Sequence, residues 1–249
     1  MVERATRLWA SEIGRCPRSI MLRILGFERT RDFPEIVKEA MQFGIDKEAE
    51  TLATLRENFG DRIILQMPLG NDRWSGHPDF IVDSGGNTPI VMEHKGVFGR
   101  WRGLDLLQEE HVTQLCLYGQ LYEESQSDCF EIKRPSLILF YRGRSANFMF
   151  EVYPLARGGV DVYGVESRPG DSLMDVLVDR INGFAFDDKP IARERLDLDV
   201  WKLRMDLESY YQARELPPRL PAPEHRKCVW NGEPSCLMYD HCWPEAVVL

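Results

Sequence analysis

The run from Ile90 to Val97 carries Glu93 and Lys95 on one side, because residues two apart in a strand share a face. Gly76 to Asp83, with Asp79 inside it, reads as the strand before, and Ser84 to Pro89 as the turn between them. The segment is therefore expected to be a β-hairpin that gathers two carboxylates and an amine. A solvated hairpin can carry the same residues, since an aspartate and a nearby E-x-K are common. The chemical reading is sharper. Mg²⁺ or Mn²⁺ takes oxygen ligands, and Asp79 and Glu93 can hold such an ion while leaving positions open for water and a phosphate. Lys95 then places positive charge where a phosphodiester under attack develops negative charge.

The flanking segments extend the pattern. From Gly103 to Glu124, Leu104, Leu107, Leu115, Tyr118 and Leu121 recur with helical spacing, and Gln114 and Tyr118 are i,i+4 neighbours on that helix. Upstream, Glu35 to Asn58 reads as a helix containing Gly44-Ile45-Asp46-Lys47-Glu48. Pro17 to Phe27 is a further helix and Arg62 to Met67 a strand. Ser136 to Tyr141 and Asn147 to Tyr153 are strands joined through Arg142 to Ser145. Asp171 to Phe186 and Ile191 to Glu215 read as helical, and Pro217 to Pro223 as an extended segment. Strands and helices in this order point to an α/β fold.

Asp79 preceded by Pro78, then Glu93-x-Lys95, then Gln114-x3-Tyr118, resembles the core of the PD-(D/E)xK nuclease superfamily in its RecB-like branch. The resemblance implies a restriction-endonuclease-like mixed β-sheet flanked by helices, with Asp79 and Glu93 as metal ligands and Lys95 beside the nucleophile. It implies that Gln114 and Tyr118 help to position substrate, and that the backbone carbonyl of His94 joins the metal. The branch carries an acid or histidine in a G-x3-(H/E) pattern upstream. Gly44 to Glu48 fits it, which makes Glu48 the further metal ligand, with Asp46 and Glu50 as alternatives on the same helix. The histidine usual in the Cas4 group at that place is absent.

Of six cysteines, Cys228, Cys236 and Cys242 fall in the last 22 residues and Cys16 lies near the start. One early cysteine followed by a distant trio looks like the iron–sulfur staple of the Cas4 and AddB-type nucleases, in which four thiolates hold a [4Fe–4S] cluster and tie the chain ends together. Cys236-x5-Cys242 keeps the family spacing, whereas Cys228-x7-Cys236 is wider than the family's C-x2-C. A four-cysteine zinc site uses the same ligand types and stays open. Cys116 and Cys129 belong to neither group; a cysteine between Leu115 and Leu117 is usually a small core residue.

A chain of 249 residues with 43% hydrophobic content can bury a substantial core. The resemblance implies a single domain over 1–249, with 35–155 as nuclease core and 1–31 and 217–249 as one cysteine lobe. The start has no apolar targeting core and no segment approaches membrane-spanning length, so a cytoplasmic protein without membrane contact is expected. The net charge of −9 opposes phosphate binding, but its distribution is uneven. Residues 1–31 carry seven arginines against three glutamates, and 133–144 carries four basic residues and no acid. Phe98, Trp101 and Tyr141 alternate with Arg100, Arg102, Arg142 and Arg144, a mixture suited to stacking bases and neutralising phosphates. The resemblance implies a DNA exonuclease preferring single strands, working with CRISPR-adaptation or recombination proteins. The rival reading is a non-catalytic iron–sulfur or zinc DNA-binding subunit. A zinc hydrolase would need a histidine-rich open site, and the five histidines show no H-x3-H spacing.

Overall fold

The structure is a computed structural model that describes residues 7–30, 32–83, 88–98, 107–126, 134–144, 147–156, 158–167, 177–178, 192–219, 229–230, 233–234 and 236–242. Its centre is a mixed seven-stranded sheet in the order β10-β9-β8-β7-β6-β5-β2. The strands are β2 (Ile63–Leu65), β5 (Phe80–Val82), β6 (Ile90–Val97), β7 (Ser136–Gly143), β8 (Asn147–Pro154), β9 (Val160–Ser167) and β10 (Ala192–Leu196). Among the described strands of this sheet only β6 and β7 run parallel, from Ile90↔Ser136 to Val97↔Gly143, and the helix α3 (Glu109–Ser125) lies between them in sequence. A parallel pair needs such a crossover, and here it brings Gln114 beside the strand that carries Glu93. A smaller sheet in the order β1-β4-β3 joins β1 (Leu8–Trp9), β3 (Leu69–Gly70) and β4 (Trp74–Gly76).

The two faces of the sheet are sorted by the period of two. Ile81, Val91, Leu139, Tyr141 and Phe150 pack on one side with Val112, Leu115, Tyr118 and Leu121 of α3, joined by Ile20, Met21 and Ile24 of α1 (Pro17–Ile24). Phe80, Met92, Ile138, Phe140 and Met149 pack on the other with Leu55 and Phe59 of α2 (Glu35–Phe59). Along β6 this alternation puts Glu93 and Lys95 on the α3 side and His94 and Gly96 on the α2 side.

Of the 25 residues of α2, only Thr51, Leu55 and Phe59 are buried, at every fourth position near its end. Its earlier turns cross β6 at a point where side chains are missing from both partners: a Cβ built on Gly96 would lie 2.4 Å from Cα of Gly44. Only two glycines permit that approach, and it carries α2 past the end of β6 with Phe43, Lys47 and Glu48 at the crossing.

Two expectations from the sequence need correction. Gly76 to Asp83 is not one strand: β4 ends at Gly76 and belongs to the smaller sheet, while β5 begins at Phe80 in the main one. Pro78, which has no N–H to give a ladder, sits in the break. The helix expected over 191–215 begins later. Ala192–Leu196 is strand β10, paired antiparallel with β9, and α4 (Val200–Ala213) follows it. Asp199 caps α4, its Oδ1 accepting from the Lys202 N–H at 2.9 Å, a start signal present in the sequence. The helix expected over 171–186 lies mostly outside the described residues; Leu177 and Val178 are helical and pack against the α2 side. Among the described residues no helix is long and apolar enough to cross a membrane.

Candidate metal centre and cysteine cluster

The break between β4 and β5 is what places Asp79. Pairing of β5 with β6 runs from Val82↔Ile90 to Phe80↔Met92 and stops there. The next N–H of β6 that would need a partner, that of His94, is given instead to Asp79 Oδ2 at 2.8 Å. The carboxylate thus replaces a ladder bond and is fixed against the strand that carries Glu93.

Glu93 is buried, with 3% of its surface exposed, and is held from two directions. Its Oε1 accepts from Lys95 Nζ and from Gln114 Nε2, the latter at 2.7 Å. Gln114 Oε1 accepts from Lys95 Nζ at 3.2 Å, and Gln114 Nε2 also lies 3.1 Å from the Tyr118 hydroxyl. Tyr118 is itself fixed against Gly76, where a Cβ would meet its ring at 2.6 Å. Gln114 and Tyr118, both buried, therefore brace the Glu93 carboxylate. The other carboxylate oxygen, Glu93 Oε2, is buried without a hydrogen-bond partner among the described residues.

The electrostatics of the three acids are interlocked. Burial, followed by the charge of Glu93, pushes Asp79 well above the ordinary carboxylate range; Lys95 opposes this and Glu48 adds to it. Glu93 is raised by burial and drawn back by Lys95 and Gln114. Glu48, on α2, is raised by burial and then by Glu93. The alternatives on α2 are engaged elsewhere. Asp46 accepts from Gln42 at 2.9 Å, and Glu50 pairs with Lys47 at 2.7 Å and with Arg142 at 3.0 Å.

His94 contributes main chain, not imidazole. Its ring lies on the α2 side, 5.9 Å from that of Phe140, and burial with the nearby charges of Arg142 and Lys95 pushes its pKa down to about 3. One helical turn before Gln114 stands His111, which no motif in the sequence marks. His111 Nδ1 lies 2.9 Å from the Tyr141 hydroxyl, and burial followed by the charge of Lys95 pushes its pKa down to about 3, so the ring is neutral. The i,i+3 spacing from Gln114 was the available signal.

The cysteine group is partly described. Cys16 stands at the N-cap position of α1 without a side-chain capping bond, and Cys236 Sγ lies 3.7 Å from Ser19 Oγ of that helix. Cys16 and Cys236 line one cavity of about 310 Å³ together with Arg15, Ser19 and Arg23. Cys242, in α5 (Tyr239–Cys242), packs with Leu22, Met238 and Cys236; burial raises its thiol pKa, Cys16 and Cys236 raise it further, and Arg18 opposes them. Three thiols from both chain ends therefore share one electrostatic neighbourhood. Cys228 and Cys129 lie outside the described residues, as do Arg100, Trp101 and Arg102. Cys116 is a core residue whose pKa burial pushes up to about 12. The chain ends are stitched by main-chain bonds as well: Thr30 N–H donates to Leu237 O at 2.9 Å, and Arg18 Nη1 to Pro217 O at 2.7 Å.

Among the described residues no three histidine, cysteine, aspartate or glutamate side chains are drawn together closely enough to hold a metal ion. Lys95 occupies Glu93 Oε1 and the His94 N–H occupies Asp79 Oδ2, which keeps the carboxylates on separate partners. A larger cavity of about 590 Å³, between the start of α3 and α4, is lined by none of these acids or thiols.

No protein-family model matches the chain, and no curated protein does. Among solved structures the chain is similar to SSO0001, at a TM-score of 0.41 and 16% identity over 72% of this chain and 73% of that one. A likeness at that level carries no argument about function.

Proposed function

We propose that the chain is a metal-dependent DNA nuclease of the RecB-like, iron–sulfur kind, hydrolysing phosphodiester bonds at the Glu48–Asp79–Glu93–Lys95 site. The observation that carries this reading is the state of Glu93. One oxygen is held by Lys95 and Gln114 while the other is buried without a partner among the described residues, beside two further acids whose pKa values are raised. Mutual repulsion among crowded carboxylates is what a divalent cation relieves, so Mg²⁺ or Mn²⁺ would be held by drawing Asp79, Glu93 and Glu48 closer together than they stand in the metal-free chain. When bound, such an ion supplies Lewis-acid stabilisation of a phosphoryl oxygen and activates water. Gln114, backed by Tyr118, keeps the Glu93 carboxylate oriented. Lys95 keeps a cation within reach of the same carboxylate, where developing negative charge on a phosphate is stabilised.

Chelation tests this directly. EDTA is expected to abolish cleavage of linear single-stranded DNA, and Mn²⁺ or Mg²⁺ to restore it; full activity in excess chelator would sink the proposal. Thermal melts add a reading that does not depend on turnover. A raised carboxyl pKa in the fold means that the contribution of Asp79 to stability is fully present below its ordinary value of 3.8 and is lost as pH rises through the raised one. The metal-free protein is therefore expected to lose stability as pH climbs out of the acid range. Mn²⁺ at a hundred times its dissociation constant should restore about 2.7 kcal/mol, or roughly 5–10 °C in Tm, at neutral pH and little in acid. A Mn²⁺ shift that does not depend on pH would count against ligation by these acids.

Cys16, Cys236 and Cys242, with Cys228, would hold a [4Fe–4S] cluster that staples the chain ends, and the shared neighbourhood of the three described thiols supports that set. Protein purified without oxygen is expected to be brown and to bleach with dithionite. Cys236→Ser should remove the colour and lower Tm, whereas a colourless protein with one equivalent of zinc would assign the thiols to zinc.

A further inference from the structure

Several arginines of the fold are matched to carboxylates: Arg142 to Glu50, Arg23 to Glu12, Arg195 to Asp161, and Arg73 and Arg204 to Glu208. Arg144, exposed at the end of β7, has a different environment. Its guanidinium carbon lies 5.5 Å from the ring centroid of Phe43 and 5.2 Å from that of Phe98, and among the described residues no carboxylate pairs with it. The two rings meet edge to face at 5.9 Å and 67°. Phe43 also lies 5.8 Å from Lys47 Nζ.

This seat is a product of the Gly44–Gly96 crossing. Because α2 touches the β6 backbone there, Phe43 is delivered to Phe98, three residues past Lys95 and about 10 Å further along the strand direction. Register does the rest. Gly96 pairs with Arg142 and Val97 with Gly143, so Arg144 emerges beside Phe98. A guanidinium resting on aromatic faces keeps its charge and its N–H donors while losing part of its rotamer freedom. With no carboxylate among the described residues to displace, an incoming anion meets a cation that is already positioned.

We propose that Arg144, seated on Phe43 and Phe98, binds a backbone phosphate of the nucleic-acid strand adjacent to the one at Glu93 and Lys95. The proposal rests on the nuclease reading and names the group that holds the strand. Its physical role is to offset the repulsion that Glu48, Asp79 and Glu93 exert on an approaching polyanion.

The test is a fluorescence-anisotropy titration of the full chain with a labelled single-stranded oligonucleotide, across a range of NaCl, with chelator present to keep the strand intact. Arg144→Gln is expected to weaken binding several-fold and to flatten the slope of log K against log salt by about 0.7, the contribution of one phosphate contact on a single strand. Arg144→Lys should recover the slope. Phe43→Leu should keep the slope, since the charge remains, yet weaken binding through lost preorganisation. A slope in Arg144→Gln equal to that of the wild type would overturn the proposal. If the wild type binds but does not cleave with Mn²⁺, the nuclease reading fails while the slope still decides the role of Arg144. If the wild type does not bind at all, both fail.

Discussion

Lys95→Ala is expected to lower the rate of DNA cleavage by roughly 10²–10³-fold, the usual cost of removing one positioned donor from a developing negative charge. The argument is geometric. Lys95 Nζ donates to both Glu93 Oε1 and Gln114 Oε1, so its charge is fixed beside the carboxylate proposed to hold the cation. It also draws Glu93 and Asp79 back toward their ionised forms, against burial and mutual repulsion. Its loss should therefore act twice, removing a cation at the phosphate and making the carboxylates harder to ionise. The second effect predicts that raising the pH or the Mn²⁺ concentration recovers part, and only part, of the lost rate. DNA affinity should change little, since the Lys95 charge is needed mainly as the transition state forms. Single-turnover cleavage paired with a binding titration at fixed salt separates the two. Wild-type cleavage by Lys95→Ala would remove the centre of the nuclease assignment.

The largest stability effect is expected far from that site, at Glu208 of α4. Its Oε1 accepts from Trp74 Nε1 at 2.7 Å and from Arg204 Nε at 3.0 Å, and its Oε2 accepts from Arg73 Nη1 at 2.5 Å. Arg204 continues the network to Glu124 of α3 at 2.6 Å. Burial alone would raise the Glu208 pKa, but the hydrogen bonds from Arg204, Arg73 and Trp74 outweigh it and hold the group below the ordinary carboxylate range. A lowered acid contributes stability above its ordinary pKa that is lost as pH falls through the folded value. Glu208→Ala leaves the buried Arg204 guanidinium and the Trp74 indole N–H short of a partner. The cost is expected to be roughly 3–5 kcal/mol, the range for breaking a buried pair by deleting one member. For a chain of this size that lowers Tm by roughly 6–20 °C. Glu208→Gln keeps an acceptor for Trp74 and should lose less. A Tm for Glu208→Ala within a degree of the wild type would show that water replaces the carboxylate at no cost. The network bears on the site too, because Trp74 opens β4, whose Gly76 packs against Tyr118.

The chain's local patterns determined the elements closest to the chemistry. The Ile90–Val97 strand was legible because its period of two depends only on backbone geometry, and so was the sharing of one face by Glu93 and Lys95. The Gln114–Tyr118 pair was legible for the corresponding reason in a helix. Helix α2 was bounded correctly to within a residue by its own composition. What no local pattern could decide is which surfaces meet. Ala192–Leu196, rich in helix-favouring arginine and glutamate, became a strand because β9 offered it an unpaired edge and Asp161 a partner for Arg195 at 2.7 Å. Asp79 left the expected hairpin because Pro78 cannot give a ladder bond and the His94 N–H needed an acceptor. The spacing puts Gln114 and Tyr118 on one helix face, and only the parallel pairing of β6 with β7 across α3 turns Gln114 toward Glu93. The Arg144 seat depends on Gly44 meeting Gly96 across 52 residues of chain. Periodicity is set by neighbours in sequence, whereas each of these contacts is set by packing between segments whose relative placement exists only once the sheet has formed.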